Sequence, residues 1–423
     1  MQEKLLFIDS CSANFVGCLS HFEQVDLSSE EIVKENRQVV LIMASYFLPG
    51  TKAGGPLRSL ANLVELLKDE FDFRVLTRNT DLGEVVEYAG ITPNTWLSLG
   101  GFRVMYLRRE DRKLSRIGHV IREVDPDVIY FNSLFDPVFT IGPLALFRWR
   151  RLGRKRSVIL APRGELAEGA LALKSLKKRS FLALAGFANL YRGVLWQASG
   201  EHERAQIQAR FGSGARVDLV PNFRADLVDT FAHGFPKKRP GFLRMVLVGR
   251  IARNKNIFGA ISILKNISQA MVSLTVFGPL EDQVYWAECE AEIARLPPNV
   301  TVEYGGILGP EEVVPNLSRY DLFFLPTAGE NFGHAILEAL VSGCPVLISD
   351  RTPWRGLADR GVGWDLPLQD ETRFLAVVKD CAAMDQRRLL AMREKAMEYG
   401  RSVAMDKGSI DAARRLFRDA VVP

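Results

Sequence analysis

Residues 322–350 read LFFLPTAGENFGHAILEALVSGCPVLISD, and their pattern decides the fold. An apolar run at 322–325 ends at Pro326 and gives way to small and polar residues at 327–333, the composition of a strand-to-helix loop. From His334 the apolar residues fall at Ala335, Ile336, Leu337, Ala339, Leu340 and Val341, dense enough for a helix buried on most of its face. Gly343 suits the end of that helix, and residues 345–348 predict a second buried strand. The stretch is therefore one strand-helix-strand unit of a parallel sheet.

Two carboxylates frame the helix, Glu330 in the loop and Glu338 eight residues on. A loop at the C-terminal end of a parallel strand, opening a helix, offers free N–H groups and a partial positive charge to phosphate or sugar phosphate. Glu338 can accept hydrogen bonds from a nearby diol. The same two glutamates also fit the surface of an ordinary α/β helix, so the pair alone does not decide between these readings.

At 423 residues and 47% hydrophobic composition, the chain has room for two domains, each with its own core. Its net charge of +5 is unevenly spread. Residues 1–240 carry 34 basic and 27 acidic residues, against 21 and 23 in the remainder, so the first half is the one expected to face something anionic. The five cysteines, Cys11, Cys18, Cys289, Cys344 and Cys381, are scattered without C-x-x-C spacing, which fits a reducing cytoplasm. Cys11, Cys18 and His21 lack a fourth ligand of the usual spacing for a shared metal. Neither a cleavable signal pattern nor an uncharged apolar run of membrane-spanning length is present.

In chain order, residues 1–36 are expected to be an N-terminal extension outside the main sheet, with a mobile character. A buried strand at 39–44 leads into a loop with Gly54, Gly55 and Pro56 and a helix at 57–67. Strands at 73–77, 128–131 and 158–161 alternate with helices at 114–123, 140–151 and 171–191, which predicts a doubly wound parallel sheet. The helix at 171–191 is basic and apolar, a mix that can dock on anionic lipid headgroups, hold a phosphate-bearing acceptor, or serve as an ordinary solvated helix with an apolar face against its own sheet. No nucleic-acid motif accompanies the charge. Two prolines and three consecutive basic residues then mark a linker at 236–241, closing a domain of residues 37–235. A second strand-helix series fills 242–404, and a last helix at about 405–423 is expected to return to the first domain. The fold class is thus α/β, two Rossmann-like domains facing each other across a cleft, the default ligand site.

In the second domain the first strand ends at the loop GRIARNKN, residues 249–256. Arg250 and Lys255 both belong to the strand ends expected to face the cleft, where two cations beside a helix N-terminus could neutralise a diphosphate without a metal; they also fit surface charges paired with Asp or Glu. With this loop, the paired glutamates of GENFGHAILE at 329–338 and the glycines at 54 and 55, the chain resembles a retaining glycosyltransferase of GT-B fold, family four. The resemblance runs from about Val39 to the C-terminus.

The resemblance implies that Arg250 and Lys255 bind the donor diphosphate, Glu338 the ribose hydroxyls, and Glu330 with Asn331, Phe332 and Gly333 the donor sugar. Gly54 and Gly55 would close over the phosphates. It implies no cofactor and no metal, only a nucleoside-diphosphate sugar as co-substrate. APRGEL at 161–166 followed by ALALK at 170–174 is similar to the exopolysaccharide and lipopolysaccharide branch, in which many relatives have histidine where this chain has Arg163. Arg163 is then expected at the acceptor, acting by charge or hydrogen bonding and not as a base. The expected acceptor is a glycan or lipid-linked glycan, the expected location cytoplasmic, with an anionic membrane surface as a further candidate partner and no nucleic acid. A sugar-nucleotide epimerase of similar fold and a catalytically inactive nucleotide-sugar-binding scaffold remain as alternatives.

Overall fold

The computed structural model describes residues 23–24, 37–150, 156–167, 175–222, 224, 227 and 234–420. Cys11, Cys18, His21, most of the N-terminal extension, the ALALK stretch and the end of the tail lie outside the described residues. The chain divides into two compact units, Met1–Asn222 with Lys407–Pro423, and Phe223–Asp406.

The strands of the first unit are β1 (Glu23–Gln24), β2 (Val39–Met43), β3 (Asp72–Arg78), β4 (Trp96–Leu99), β5 (Phe102–Leu107), β6 (Val128–Phe131), β7 (Ser157–Leu160), β8 (Leu195–Ala198) and β9 (Val217–Leu219). They form one sheet in the order β1-β4-β5-β3-β2-β6-β7-β8-β9. Every pairing is parallel except β1 with β4 and β4 with β5. The run β5-β3-β2-β6-β7-β8 has the doubly wound order of a nucleotide-binding sheet, with its switch point between β2 and β6. Central strands such as VVLIM of β2 are apolar throughout because helices cover both faces.

The second unit contains β10 (Phe242–Val248), β11 (Met271–Phe277), β12 (Val300–Gly306), β13 (Leu322–Leu325), β14 (Val346–Ser349) and β15 (Gly363–Leu366). Its sheet runs β12-β11-β10-β13-β14-β15, with parallel pairing between all neighbours, again the doubly wound order. The opening stretch supplies β13, the helix His334–Val341 and β14, all at the middle of this sheet.

Several elements differ from the sequence expectation. Residues 23–24 of the extension pair antiparallel with 97–98, so this part of it joins the main sheet. β4 and β5 have no counterpart in the apolar pattern, because Arg103 interrupts FRVMYL; its guanidinium is neutralised by Asp72 of β3 at 2.9 Å. The expected linker at 236–241 belongs to the second unit, and the division falls at Asn222 and Phe223 instead. Lys238 explains this: it is buried, and its ammonium donates to the carbonyls of Arg239, Phe242 and Ala382, which ties the basic run down. The tail is three helices, Glu371–Ala383, Gln386–Ala404 and Lys407–Arg418. The last of them groups with the first unit, where Phe417 packs its ring on Phe71, Phe73 and Tyr130.

Candidate functional site

In the second unit the site grows from two loops at the C-terminal edge of the sheet, 249–256 after β10 and 326–333 after β13. Gly249 and Gly278 lie back to back: a Cβ on Gly278 would stand 1.9 Å from the Gly249 carbonyl oxygen. A Cβ on Gly249 would in turn meet Cε of Lys255 at 3.3 Å, so the lysine stem lies across the bare glycine. The backbone contact requires glycine at 278, while at 249 a side chain would press on the lysine stem. Asn256, left-handed at φ 54°, ends the loop and donates from Nδ2 to the Pro326 carbonyl at 3.0 Å.

The carbonyl of Asn254 binds the second loop twice, accepting from Thr327 Oγ1 and from the Ala328 N–H, each at 2.8 Å. These bonds bring Lys255 onto Glu330: the ammonium and the carboxylate form an ion pair, with side chains 13% and 12% exposed. Thr327 Oγ1 also lies 3.3 Å from Glu330 Oε1, and the Glu330 N–H donates to the Arg351 carbonyl at 3.0 Å. The pairing of a lysine and a glutamate 75 residues apart is therefore built by backbone, not left to two flexible side chains.

Asn331, Phe332 and Gly333 lead into the helix His334–Val341. Gly333 is left-handed at φ 82°, and the Phe332 carbonyl accepts from Trp354 Nε1 at 2.5 Å while the two rings pack at 5.6 Å. In the first turn of that helix the N–H groups of Ile336 and Leu337 donate to the Gly333 carbonyl, at 2.9 Å and 3.3 Å, and the helix N-terminus carries a partial positive charge. Glu338 faces a different environment. It is 2% exposed and its carboxylate accepts from Arg224 Nη1 at 2.8 Å, a buried ion pair.

Arg250 is not brought to this pair. Its guanidinium meets Glu281 at the surface, both side chains being well exposed, while Lys255 alone reaches Glu330. Arg224 is the residue that the sequence reading missed: it stands alone in a segment without apolar period, and only the fold reveals its carboxylate partner.

The first unit holds Gly54, Gly55 and Arg163. Gly54, at φ 68° and ψ −140°, precedes the helix Gly55–Leu67, and among the described residues nothing beyond its chain neighbours lies within 4 Å of where its Cβ would be. That backbone suits glycine and leaves its surface open. Arg163, itself left-handed at φ 55°, has its guanidinium engaged by the protein: Nε donates to Asn132 Oδ1 at 2.8 Å, Nη1 to Asn222 Oδ1 at 3.1 Å, and Nη2 to the Tyr130 hydroxyl at 2.7 Å. Next to it Glu165 accepts from the Ser133 hydroxyl and the N–H groups of Leu134 and Phe135. Burial pushes the Glu165 carboxyl above the usual carboxylate range in spite of these donors.

Residues 229–401, most of the second unit, match the family Glycosyl transferases group 1. Among solved structures, the chain is similar to sucrose-phosphate synthase from Thermosynechococcus elongatus at 16% identity, covering 90% of this chain and 99% of that one with a TM-score of 0.66. It is similar to HepE of Anabaena in complex with UDP and glucose at 16% identity, 90% and 99% coverage and a TM-score of 0.61. WaaG, a glycosyltransferase involved in lipopolysaccharide biosynthesis, matches at 15% identity, 91% and 100% coverage and a TM-score of 0.62. The shared fold is GT-B. No curated protein matches the chain by sequence.

Proposed function

We propose that the chain is a retaining glycosyltransferase, moving a sugar from a nucleoside-diphosphate sugar to a glycan or lipid-linked glycan in cell-surface polysaccharide biosynthesis. The observation that carries this reading is the Lys255–Glu330 ion pair, held by backbone bonds just ahead of the N-terminus of the helix His334–Val341, within the stretch that matches group 1 glycosyl transferases. HepE was solved with UDP-glucose, which supports a nucleotide-sugar donor, and WaaG supports a polysaccharide setting.

In this reading Lys255 and the helix N-terminus stabilise charge on the leaving nucleoside diphosphate, so no metal is required. Arg250 joins them by exchanging Glu281 for the diphosphate. Glu330, with Asn331, Phe332 and Gly333, holds the donor sugar, and Glu338 accepts from the ribose hydroxyls. Gly54 and Gly55 offer backbone N–H groups to a phosphate. Arg163 orders the acceptor edge through Asn132 and Asn222. The acceptor hydroxyl attacks the anomeric carbon on the face from which the diphosphate departs, and its proton passes to the leaving phosphate oxygen.

The helix Ser175–Phe187 supports a peripheral contact with an anionic membrane from the cytoplasmic side. Leu184 and Phe187 are 66% and 88% exposed, on a helix that also carries Lys177, Lys178 and Arg179. Among the described residues no helix is long and apolar enough to cross a membrane.

The test is thermal stabilisation by UDP-, GDP- and dTDP-sugars followed by assay of the stabilising donor. Release of nucleoside diphosphate that stops in Glu330→Ala supports the transferase. A free epimerised product, or binding without turnover, replaces it with the epimerase or the scaffold.

A further inference from the structure

A second cluster of cations stands in the first unit, at the C-terminal ends of β2, β3 and β5, the edge of a parallel sheet where ligands gather. Arg78 ends β3. Its Nη2 donates to Asp136 at 2.8 Å, its Nη1 lies 3.5 Å from the Tyr46 hydroxyl, and its guanidinium carbon sits 5.1 Å and 5.7 Å from the ring centroids of Tyr46 and Phe139. One carboxylate and two rings thus fix the plane of the guanidinium before any ligand arrives.

Arg112 approaches the same place from the other side. Leu107, the register partner of Arg78 in β5, accepts from Arg112 Nε at 3.4 Å, and Thr80, two residues past Arg78, accepts from Nη2 at 3.5 Å. Both contacts are at the outer limit for a hydrogen bond. Among the described residues no carboxylate forms an ion pair with Arg112; Glu87 acts on it only from a distance. Burial and the charge of Arg78 both hold the Arg112 guanidinium below its usual range, as expected for two like charges drawn partly out of water.

Asp136 does not offset both. It also accepts from the Ser45 hydroxyl and from the N–H groups of Val138 and Phe139, so its oxygens are taken up by four donors. The carboxylate beside Arg78 is therefore saturated, and Arg112 holds only its two long contacts to Leu107 and Thr80. A tetrahedral phosphoryl group presents three terminal oxygens and can meet two forks, whereas a planar carboxylate matches one.

We propose that Arg78 and Arg112 form an oxyanion site that takes a phosphoryl group carried by the acceptor. Only the word acceptor rests on the glycosyltransferase reading; the anion site rests on the first unit alone. Arg78 is also needed by Asp136, so Arg112 is the residue to change.

The experiment follows the melting temperature of the full chain in a Lys255→Ala background, which weakens phosphate binding at the expected donor site. Inorganic phosphate is titrated at constant ionic strength, with sodium glucuronate as a parallel ligand. The expected result is a saturable rise with phosphate whose apparent affinity falls about tenfold or more on adding Arg112→Gln, the loss of a charge-assisted contact. Arg112→Gln should itself leave the unliganded melting temperature unchanged or higher, because it removes a charge that Arg78 disfavours, and Arg112→Lys should bind phosphate with intermediate affinity. Equal phosphate affinity with and without Arg112, no phosphate response, or a response to glucuronate alone overturns the proposal. UDP binding measured beside it separates the two readings. If UDP fails to bind the wild-type chain while the phosphate arm behaves as expected, the donor reading falls and this site stands.

Discussion

Arg224 donates to the carboxylate of Glu338 at 2.8 Å with both side chains almost wholly buried, so the second glutamate of the motif has a cation of its own. Removing the arginine leaves a buried carboxylate without this partner, and Arg224→Ala should cost about 3 to 5 kcal/mol of stability in urea denaturation. Glu338→Gln in the same background should recover part of that loss, since no bare charge remains. Equal and additive losses in the two single variants and the double variant would show that the two groups do not depend on each other. In the donor assay Glu338→Gln should mainly weaken nucleotide binding; unchanged affinity would remove the ribose role.

Gly400 tests the support behind the helix that opens the site. A Cβ there would stand 2.6 Å from the Val341 nitrogen and 2.8 Å from the Leu340 carbonyl carbon, backbone atoms that cannot swing aside. Gly400→Ala should lower stability by about 1 to 3 kcal/mol. Gly329→Ala in the neighbouring loop meets nothing within 4 Å and should be nearly neutral. If both changes are silent, helix 334–341 is not braced by helix 386–404.

Alkaline pH should destabilise the fold. Burial pushes Cys289 up to about 11 and Cys344 up to about 12 from an ordinary 9.0, and raises Cys381 and Tyr130 as well. The native state therefore keeps protons that the unfolded chain has released. Stability from these groups is full below about pH 9 and is lost as pH rises toward their folded values. The urea midpoint should fall between about pH 8.5 and pH 10.5, and a flat profile would contradict the burial of these groups.

Vesicle binding tests the exposed face of helix 175–187. The chain should cosediment with phosphatidylglycerol vesicles at low salt, bind neutral phosphatidylcholine vesicles less, and lose binding in Phe187→Ser with Leu184→Ser. Binding that ignores lipid charge and these two residues would rule the face out.

Much of the fold was legible because parallel strands are buried on both faces and read as unbroken apolar runs, as in LFFL of β13 and VVLIM of β2. β5 was not, since Arg103 in FRVMYL is neutralised only by a residue 31 positions away. Lys238 is a similar case: it reads as linker charge but serves buried carbonyls. In the candidate site, the sequence pattern pointed to Lys255 and Glu330, which the fold pairs, and to Glu338, which it buries against Arg224. The separation of Arg250 from them and the arrival of Arg224 depend on long-range contacts that leave no periodic signal.

The central claim is that the Lys255–Glu330 pair is the working end of a nucleotide-sugar site. Its most direct measurement is release of nucleoside diphosphate from the stabilising donor by wild type, Lys255→Ala and Glu330→Ala, each checked for an unchanged fold by its melting temperature. The account predicts turnover in wild type and a fall of about 10²-fold or more in both variants, with weaker nucleotide binding in Lys255→Ala. Turnover that persists in both folded variants would contradict it.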